Sequence, residues 1–203
     1  MNIGVTGVMG GGKSRVAHRL GHLLDAHLLN VDLVCRDLLQ KGAPGWQGMK
    51  NLWADRFFDQ RGEVDRSRLR SQIFADPHLR SSLESILHPL TRQAVFDAFR
   101  RCKEAGIFLI VEVPLLFEVG WQDDFDRVVV VYADPLTAVS RIVKRDGVDC
   151  QAASRSLESQ MPGAQKALQG DWTINNSGHY ADTILQLNHL VQLIRKELKR
   201  SSS

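Results

Sequence analysis

Short apolar runs alternate along this chain with stretches whose apolar positions recur every three or four residues, the pattern of strands separated by helices. The first run, NIGVTG, sets Ile3 and Val5 against small residues and predicts a strand that enters the glycine cluster Gly10, Gly11, Gly12. Beyond Lys13 and Ser14, the positions Val16, Ala17, Leu20, Leu23 and Leu24 give a helix with one buried face. AHLLNVD predicts a second strand ending at Asp32, followed by a helix through Val34, Leu38 and Leu39 that stops near Gly42 and Pro44. Periodicity is weak over 42–65, where only short helices and loops are expected. A helix capped by Asp76, with Pro77 in its first turn, then runs through Leu79, Leu83, Ile86, Leu87, Leu90, Ala94 and Phe99. Pro89 is expected to kink or divide it, because proline lacks an amide hydrogen and crowds the preceding turn.

IFLIVEVP and RVVVVYA are apolar on both faces, as central parallel strands covered by helices on both sides should be. Helices are expected over about 135–145, over 152–168, and through Ile184, Leu187, Val191, Ile194 and Leu198, with DWTINN as a short fifth strand. The whole predicts a three-layer α/β fold on a five-stranded parallel sheet, one core with two helical insertions. Ser201, Ser202 and Ser203 read as a frayed tail.

Composition narrows the class. The 203 residues are 43% hydrophobic and 24% charged, enough for one sizeable core and too apolar for a disordered chain. Cys35, Cys102 and Cys150 are odd in number and form no CxxC pair, which points to a reducing compartment. The richest apolar run, over 107–117, contains Glu112 and Pro114, and the N-terminus has no basic stretch before an apolar one. Neither a membrane span nor a signal peptide is expected, and a soluble cytoplasmic protein is the plain reading. The net charge of +3, from 26 basic against 23 acidic residues, suits a small polyanionic substrate at least as well as a nucleic acid.

Gly7-Val8-Met9-Gly10-Gly11-Gly12-Lys13-Ser14 matches G-x-x-x-x-G-K-[ST] in full, between a predicted strand and a predicted helix. Glycines at these positions let successive amides point into a concavity, and the helix start adds its positive end, so phosphates are held chiefly by main chain. Lys13 should reach the β- and γ-phosphates and the Ser14 hydroxyl should ligate magnesium. A nucleoside triphosphate is the expected ligand. The chain has little material beyond one nucleotide core, against a mechanical ATPase, and NNSG at 175–178 is not the NKxD of a GTPase.

Asp32, at a strand end beside the glycine loop, is placed to receive a hydroxyl proton, or else simply to cap the helix of LVCRDLL. Arg36, one turn onward, shares its side and is positioned to meet a phosphate. Glu112 ends an apolar strand, where a charge is expensive unless paired. It is either a magnesium-water group or half of a buried pair with an arginine. Arg141 and Arg145, at i and i+4, either close over the transferring phosphate or form a solvated basic turn. His88, before Pro89 on a mostly apolar helix, is a packing histidine or a substrate contact, whereas His18 and His22 read as surface imidazoles. Trp46, Trp53, Phe57 and Phe58 most simply pack the loop-rich segment.

Seven pieces together, GVTGVMGGGKS, DLVCR, GEVDRSRL, LESILHPLTR, EVPLLFE, RIVKRDG and INNSG, resemble the dephospho-coenzyme A kinase family in its own order and over nearly the whole chain. The loop is generic, but HP followed by PLLFE and RxxxRDG is specific. The resemblance implies phosphorylation of the ribose 3'-hydroxyl of dephospho-coenzyme A with ATP and Mg2+, on a P-loop core with a helical substrate region and a small lid. It implies a core over about 1–41, 105–135 and 171–203, a substrate region over 42–104 and a lid over 136–170. By the same analogy Asp32 is the base, and Arg36, His88, Pro89, Leu116 and Glu118 serve the acceptor. Arg141 and Arg145 belong to the lid side, and Asn175 and Asn176 lie near the adenine of ATP. The partner expected is the small-molecule substrate, with no nucleic acid and no membrane, the chain being a monomer or a weak homo-oligomer. Asn30, Ala138 and Arg15 depart from the family's usual aspartate, glutamine and small hydroxyl residue.

Overall fold

A computed structural model describes residues 1–201. Five strands, β1 (Asn2–Gly7), β2 (His27–Asn30), β3 (Leu109–Glu112), β4 (Arg127–Tyr132) and β5 (Trp172–Asn175), lie in the order β2-β3-β1-β4-β5. β1 runs parallel to β3 and β4, and β4 runs parallel to β5. The register sets Val5 beside Glu112 and Gly7 beside Val131, so the ends of the central strands converge where the glycine loop begins. Each expected strand is present, though the second ends at Asn30 and leaves Asp32 in the helix that follows.

The helices are α1 (Lys13–Leu24), α2 (Val31–Leu38), α3 (Pro44–Trp53), α4 (Arg66–Ala75), α5 (Pro77–Glu104), α6 (Pro135–Asp146), α7 (Cys150–Glu158), α8 (Gly163–Gln169) and α9 (Tyr180–Ser201). Strand alternation explains the layers. Ile3 and Val5 face Val16, Ala17 and Leu20 of α1 and Leu187, Val191 and Ile194 of α9 in one core cluster. Gly4 points the other way, where any β-carbon would meet Leu116 at 2.8 Å and Phe125 at 3.0 Å. Ser201 ends α9, while the Ser202 and Ser203 of the expected tail lie outside the described residues.

Two expectations fail for local reasons. Pro89 lies inside one continuous helix of 28 residues. The carbonyl it deprives of an amide belongs to Ser85, an exposed residue, and Leu79, Leu83 and Leu87 on the other face stay packed, so the helix is not divided. The single helix expected over 152–168 is instead α7 and α8, because Pro162 cannot donate to the turn before it.

The chain divides into two compact units, Met1–Leu29 with everything from Arg101 onward, and Asn30–Arg100. The helical unit thus starts at α2 rather than at residue 42, and the elements expected as a lid, α6 to α8, share the unit of the sheet. Within the helical unit Trp46 meets Phe58, and Trp53 meets Phe57, edge to face around a core of Met49, Leu69, Leu79, Leu83 and Leu87.

α6 has strong signals at both ends. Asp134 caps it by accepting from the Thr137 amide at 2.9 Å and the Thr137 hydroxyl at 2.7 Å, Pro135 fits its first turn, and Gly147 ends it in the left-handed region. The Thr137 amide first, and its hydroxyl next, hold the Asp134 carboxyl below the usual carboxylate range. A lowered folded value means that this carboxylate stabilises the fold above the unfolded carboxylate range, and that the contribution is lost as pH falls through the folded value. We expect Asp134→Asn, a neutral mimic of the protonated cap, to unfold at lower urea concentration than wild type at pH 7. The gap should narrow progressively when the titration is repeated in acid.

Candidate active site

The turn from β1 into α1 is built by residues that tolerate left-handed backbone. Gly10 has φ 73°, and a β-carbon there would strike the Ala138 carbonyl of α6. Gly12 has φ 86°, starts α1 without any side-chain cap, and would strike the Asn176 amide if it carried a side chain. No side chain caps the first turn of α1, while several other polar groups of the loop are engaged within the fold. Val8 O accepts from the Gly11 amide and from Lys13 Nζ, each at 3.0 Å. Asn176 is buried and donates Nδ2 to Gly11 O at 2.8 Å, while its Oδ1 accepts from the Thr183 hydroxyl at 2.8 Å. Asn176 thus braces the loop from below.

At the same strand ends the Ser14 hydroxyl donates to Glu112 Oε1 at 2.7 Å, and Glu112 is only 4% exposed. A hydroxyl beside a carboxylate is a hard oxygen pair of the kind magnesium accepts. No group of three or more His, Cys, Asp and Glu side chains able to hold a metal occurs among the described residues, so a cation here would draw its remaining ligands from phosphate and water.

The two arginines of α6 part company. Arg141 Nη1 is buried, has no hydrogen-bond partner, and lies 3.9 Å from where a β-carbon on Gly12 would stand. A desolvated guanidinium nitrogen against a phosphate loop calls for an anion. Arg145 is exposed and forks onto its neighbour Asp146 at 2.7 and 2.8 Å.

Asn175 is exposed and tied to its own loop, its amide donating to Gln186 Oε1 at 2.8 Å and its Oδ1 accepting from the Ser177 amide at 3.0 Å. Leu116 is 0% exposed and packs on Gly4, so its side chain is core and presents no surface to a ligand. Glu118 is held by Lys166 and by the Met161 amide. Lys166 and Gln160, which accepts from the Met9 amide, had no signal in the sequence. Around them the hydrophobic pattern is inverted, since α8 buries Lys166 and leaves Leu168 88% exposed.

In the helical unit, the cap of α2 is Asn30, whose Oδ1 accepts from the Leu33 amide at 3.2 Å. Asp32 is exposed in the first turn and is not the cap. Arg36 is exposed, with Nε 3.8 Å from Asp37. Burial pushes the Cys35 thiol up, against the opposing effect of its Thr91 contact at 3.3 Å. His88 is half-buried and Pro89 exposed on α5.

A complete phosphate loop joining the first strand to the first helix of a sheet ordered β2-β3-β1-β4-β5 defines a P-loop kinase fold. The chain belongs to the dephospho-CoA kinase family, whose model, described as Dephospho-CoA kinase, matches residues 1–182. The dephospho-CoA kinase of Desulfotalea psychrophila is 42% identical over 187 residues, covering 92% of this chain and 94% of that one. Its counterpart from Syntrophus aciditrophicus is 32% identical over 211 aligned positions, covering 100% and 88%. A Thermus thermophilus protein of known crystal structure superposes with a TM-score of 0.79 at 27% identity, over 98% of this chain and 97% of that one. The dephospho-CoA kinase from Campylobacter jejuni shares the fold with a TM-score of 0.71 at 24% identity, over 97% and 98%.

Two glycines separate backbone strain from crowding. Gly106 has φ 68° with nothing within 4 Å of a β-carbon, whereas Gly12 has a similar φ and collides with Asn176. In urea unfolding we expect Gly106→Ala to cost about 1–2 kcal/mol, and Gly12→Ala to cost more. Adding Asn176→Ala to Gly12→Ala should not deepen the loss additively, because the collision partner is gone.

Proposed function

We propose that the protein transfers the γ-phosphoryl group of ATP to the ribose 3'-hydroxyl of dephospho-coenzyme A, with Mg2+, giving coenzyme A and ADP. The observation that carries this reading is the buried, partnerless Arg141 Nη1 beside Gly12, a cation held where a phosphoryl group would be gripped. Membership of the family supports the choice of acceptor.

The amides of Gly10, Gly12 and Lys13 hold the triphosphate, the Gly11 amide closes the turn onto Val8 O, and Lys13 Nζ moves from Val8 O to the β- and γ-phosphates. Ser14, with Glu112 behind it, holds magnesium, which when bound neutralises charge on the phosphate oxygens. Arg141 stabilises the charge that spreads over the transferring group, and Arg145 joins it by exchanging Asp146 for phosphate. Asp32 orients the ribose hydroxyl and takes its proton as the new O–P bond forms and the bond to the β-phosphate oxygen breaks, releasing ADP. Arg36, His88 and Pro89 serve the acceptor, Leu116 and Glu118 shape the PLLFE turn, and Asn175 and Asn176 border the nucleotide. The region 136–170 acts as the lid. A reducing, cytoplasmic setting is supported by the three free cysteines, and no described helix is long and apolar enough to cross a membrane. The protein works without nucleic acid, as a monomer or weak homo-oligomer.

Acceptor-dependent ADP release tests the substrate. With Mg2+ and ATP, dephospho-coenzyme A should stimulate release and be converted to coenzyme A, while nucleosides, nucleoside monophosphates and shikimate should not. Strong stimulation by a nucleoside monophosphate alone would assign a different kinase, and no stimulation by any acceptor would leave an ATP-binding regulator.

Asp32→Asn tests the base. Because Asn30 holds the helix cap, folding should be unchanged, while single-turnover transfer should fall about 10²- to 10⁴-fold with ATP affinity little altered. A rate within about threefold of wild type, far short of that range, would strip Asp32 of its chemical role.

A further inference from the structure

Between α7 and α8 the chain is tied to two distant parts of the sheet unit. Gln160 Oε1 accepts from the Met9 amide at 2.9 Å, across 151 positions of sequence. The next residue, Met161, donates its amide to Glu118 Oε1 at 3.1 Å. Lys166, 0% exposed, places Nζ 2.8 Å from Glu118 Oε1, 3.0 Å from Oε2 and 3.1 Å from Pro114 O. Pro114 O also accepts from the Thr6 hydroxyl at 3.3 Å, on the strand that feeds the loop. A buried ammonium with these oxygens around it is a rigid anchor, because breaking the pair strands a charge in the interior. Gln160 is therefore presented to the loop from a fixed base.

The Met9 amide and the Val8 carbonyl belong to one planar peptide group. Gln160 holds the N–H edge of that plane, and the opposite edge, Val8 O, receives both the Gly11 amide and Lys13 Nζ. Rotating the plane would release Gln160 and withdraw the acceptor from Lys13 together. Fixed dipoles around a developing charge matter because they need no reorganisation when the charge forms.

We propose that Gln160 is a positioning residue for phosphoryl transfer, fixing the Val8–Met9 peptide and through it the resting place of Lys13, with the Lys166–Glu118 pair as its anchor. This rests on the kinase reading above. Gln160 touches neither reacting atom in this role. It acts through the loop.

The test follows four properties of the protein. In Gln160→Leu the Met9 amide, read by ¹⁵N NMR, should exchange with solvent faster, and Gln160→Glu, which keeps an acceptor, should restore its protection. Gln160→Leu should weaken Mg·ATP binding by calorimetry, and lower kcat/KM for ATP, by about three- to tenfold, the range for one lost hydrogen bond. The KM for dephospho-coenzyme A should stay within about twofold. Gln160→Asn, whose carbonyl falls one methylene short, should behave as Leu does and decides the question if the Leu variant does not fold. An unchanged Met9 exchange rate, or faster exchange with ATP binding within about twofold of wild type, overturns the proposal. If wild type fails to phosphorylate dephospho-coenzyme A, the substrate reading falls alone, since Met9 exchange and ATP binding still judge Gln160.

Discussion

The phosphate loop must keep several backbone amides turned outward while satisfying its remaining polar groups from within. Unpaired main-chain groups are costly wherever water is excluded, so the loop needs partners that lie beside it in space and far away in sequence. Asn176 takes Gly11 O, Gln160 takes the Met9 amide, and Glu112 takes the Ser14 hydroxyl. Each arrives from a different part of the chain, Glu112 at the end of β3 beside β1 and Asn176 just after β5 beside β4, so the sheet order brings two of them within reach. Much of the surrounding fold can be understood as scaffolding for those contacts. Gly10 lets α6 approach until only hydrogen fits, and that approach in turn aims Arg141 at Gly12.

Charge is distributed by solvent access. Arg141 is partly desolvated and keeps a bare nitrogen for an anion, whereas Arg145, one turn away and in water, settles on Asp146. An arginine pair at i and i+4 therefore contains one group held ready and one that must exchange partners, a difference that spacing alone does not encode.

The parts of the molecule governed by local rules were legible in the amino-acid sequence. The loop, the β-branched central strands and the cap at Asp76 all follow from near neighbours. What escaped depends on distant packing or on which side of a helix meets water. Pro89 does not divide its helix, whereas the long helix over 152–168 breaks where Pro162 falls in its middle. At the site Glu112 pairs with the Ser14 hydroxyl, a partner not foreseen for it, and Asn176, which the resemblance sets near the adenine, also braces the loop. Asn30 had been read only as a departure from the family, yet it takes the capping role weighed for Asp32. Leu116 was drawn into the acceptor site by its motif, but tertiary packing puts it behind Gly4. Gln160 and Lys166 left no trace, since their partners are tens of residues away or more, Gln160 lies between helices, and the helix of Lys166 shows the opposite of an amphipathic pattern.

The enclosed ammonium of Lys166 also constrains how this protein can vary. Replacing Glu118 alone leaves the Lys166 ammonium uncompensated inside the fold, whereas replacing Lys166 alone leaves a Glu118 carboxylate whose side chain, 23% exposed, still reaches water, so the two losses are unequal. Replacing both with apolar residues of similar volume carries no such penalty. The order of change therefore matters: Glu118 is held for as long as Lys166 remains, while Lys166 can be lost first without stranding a charge in the interior.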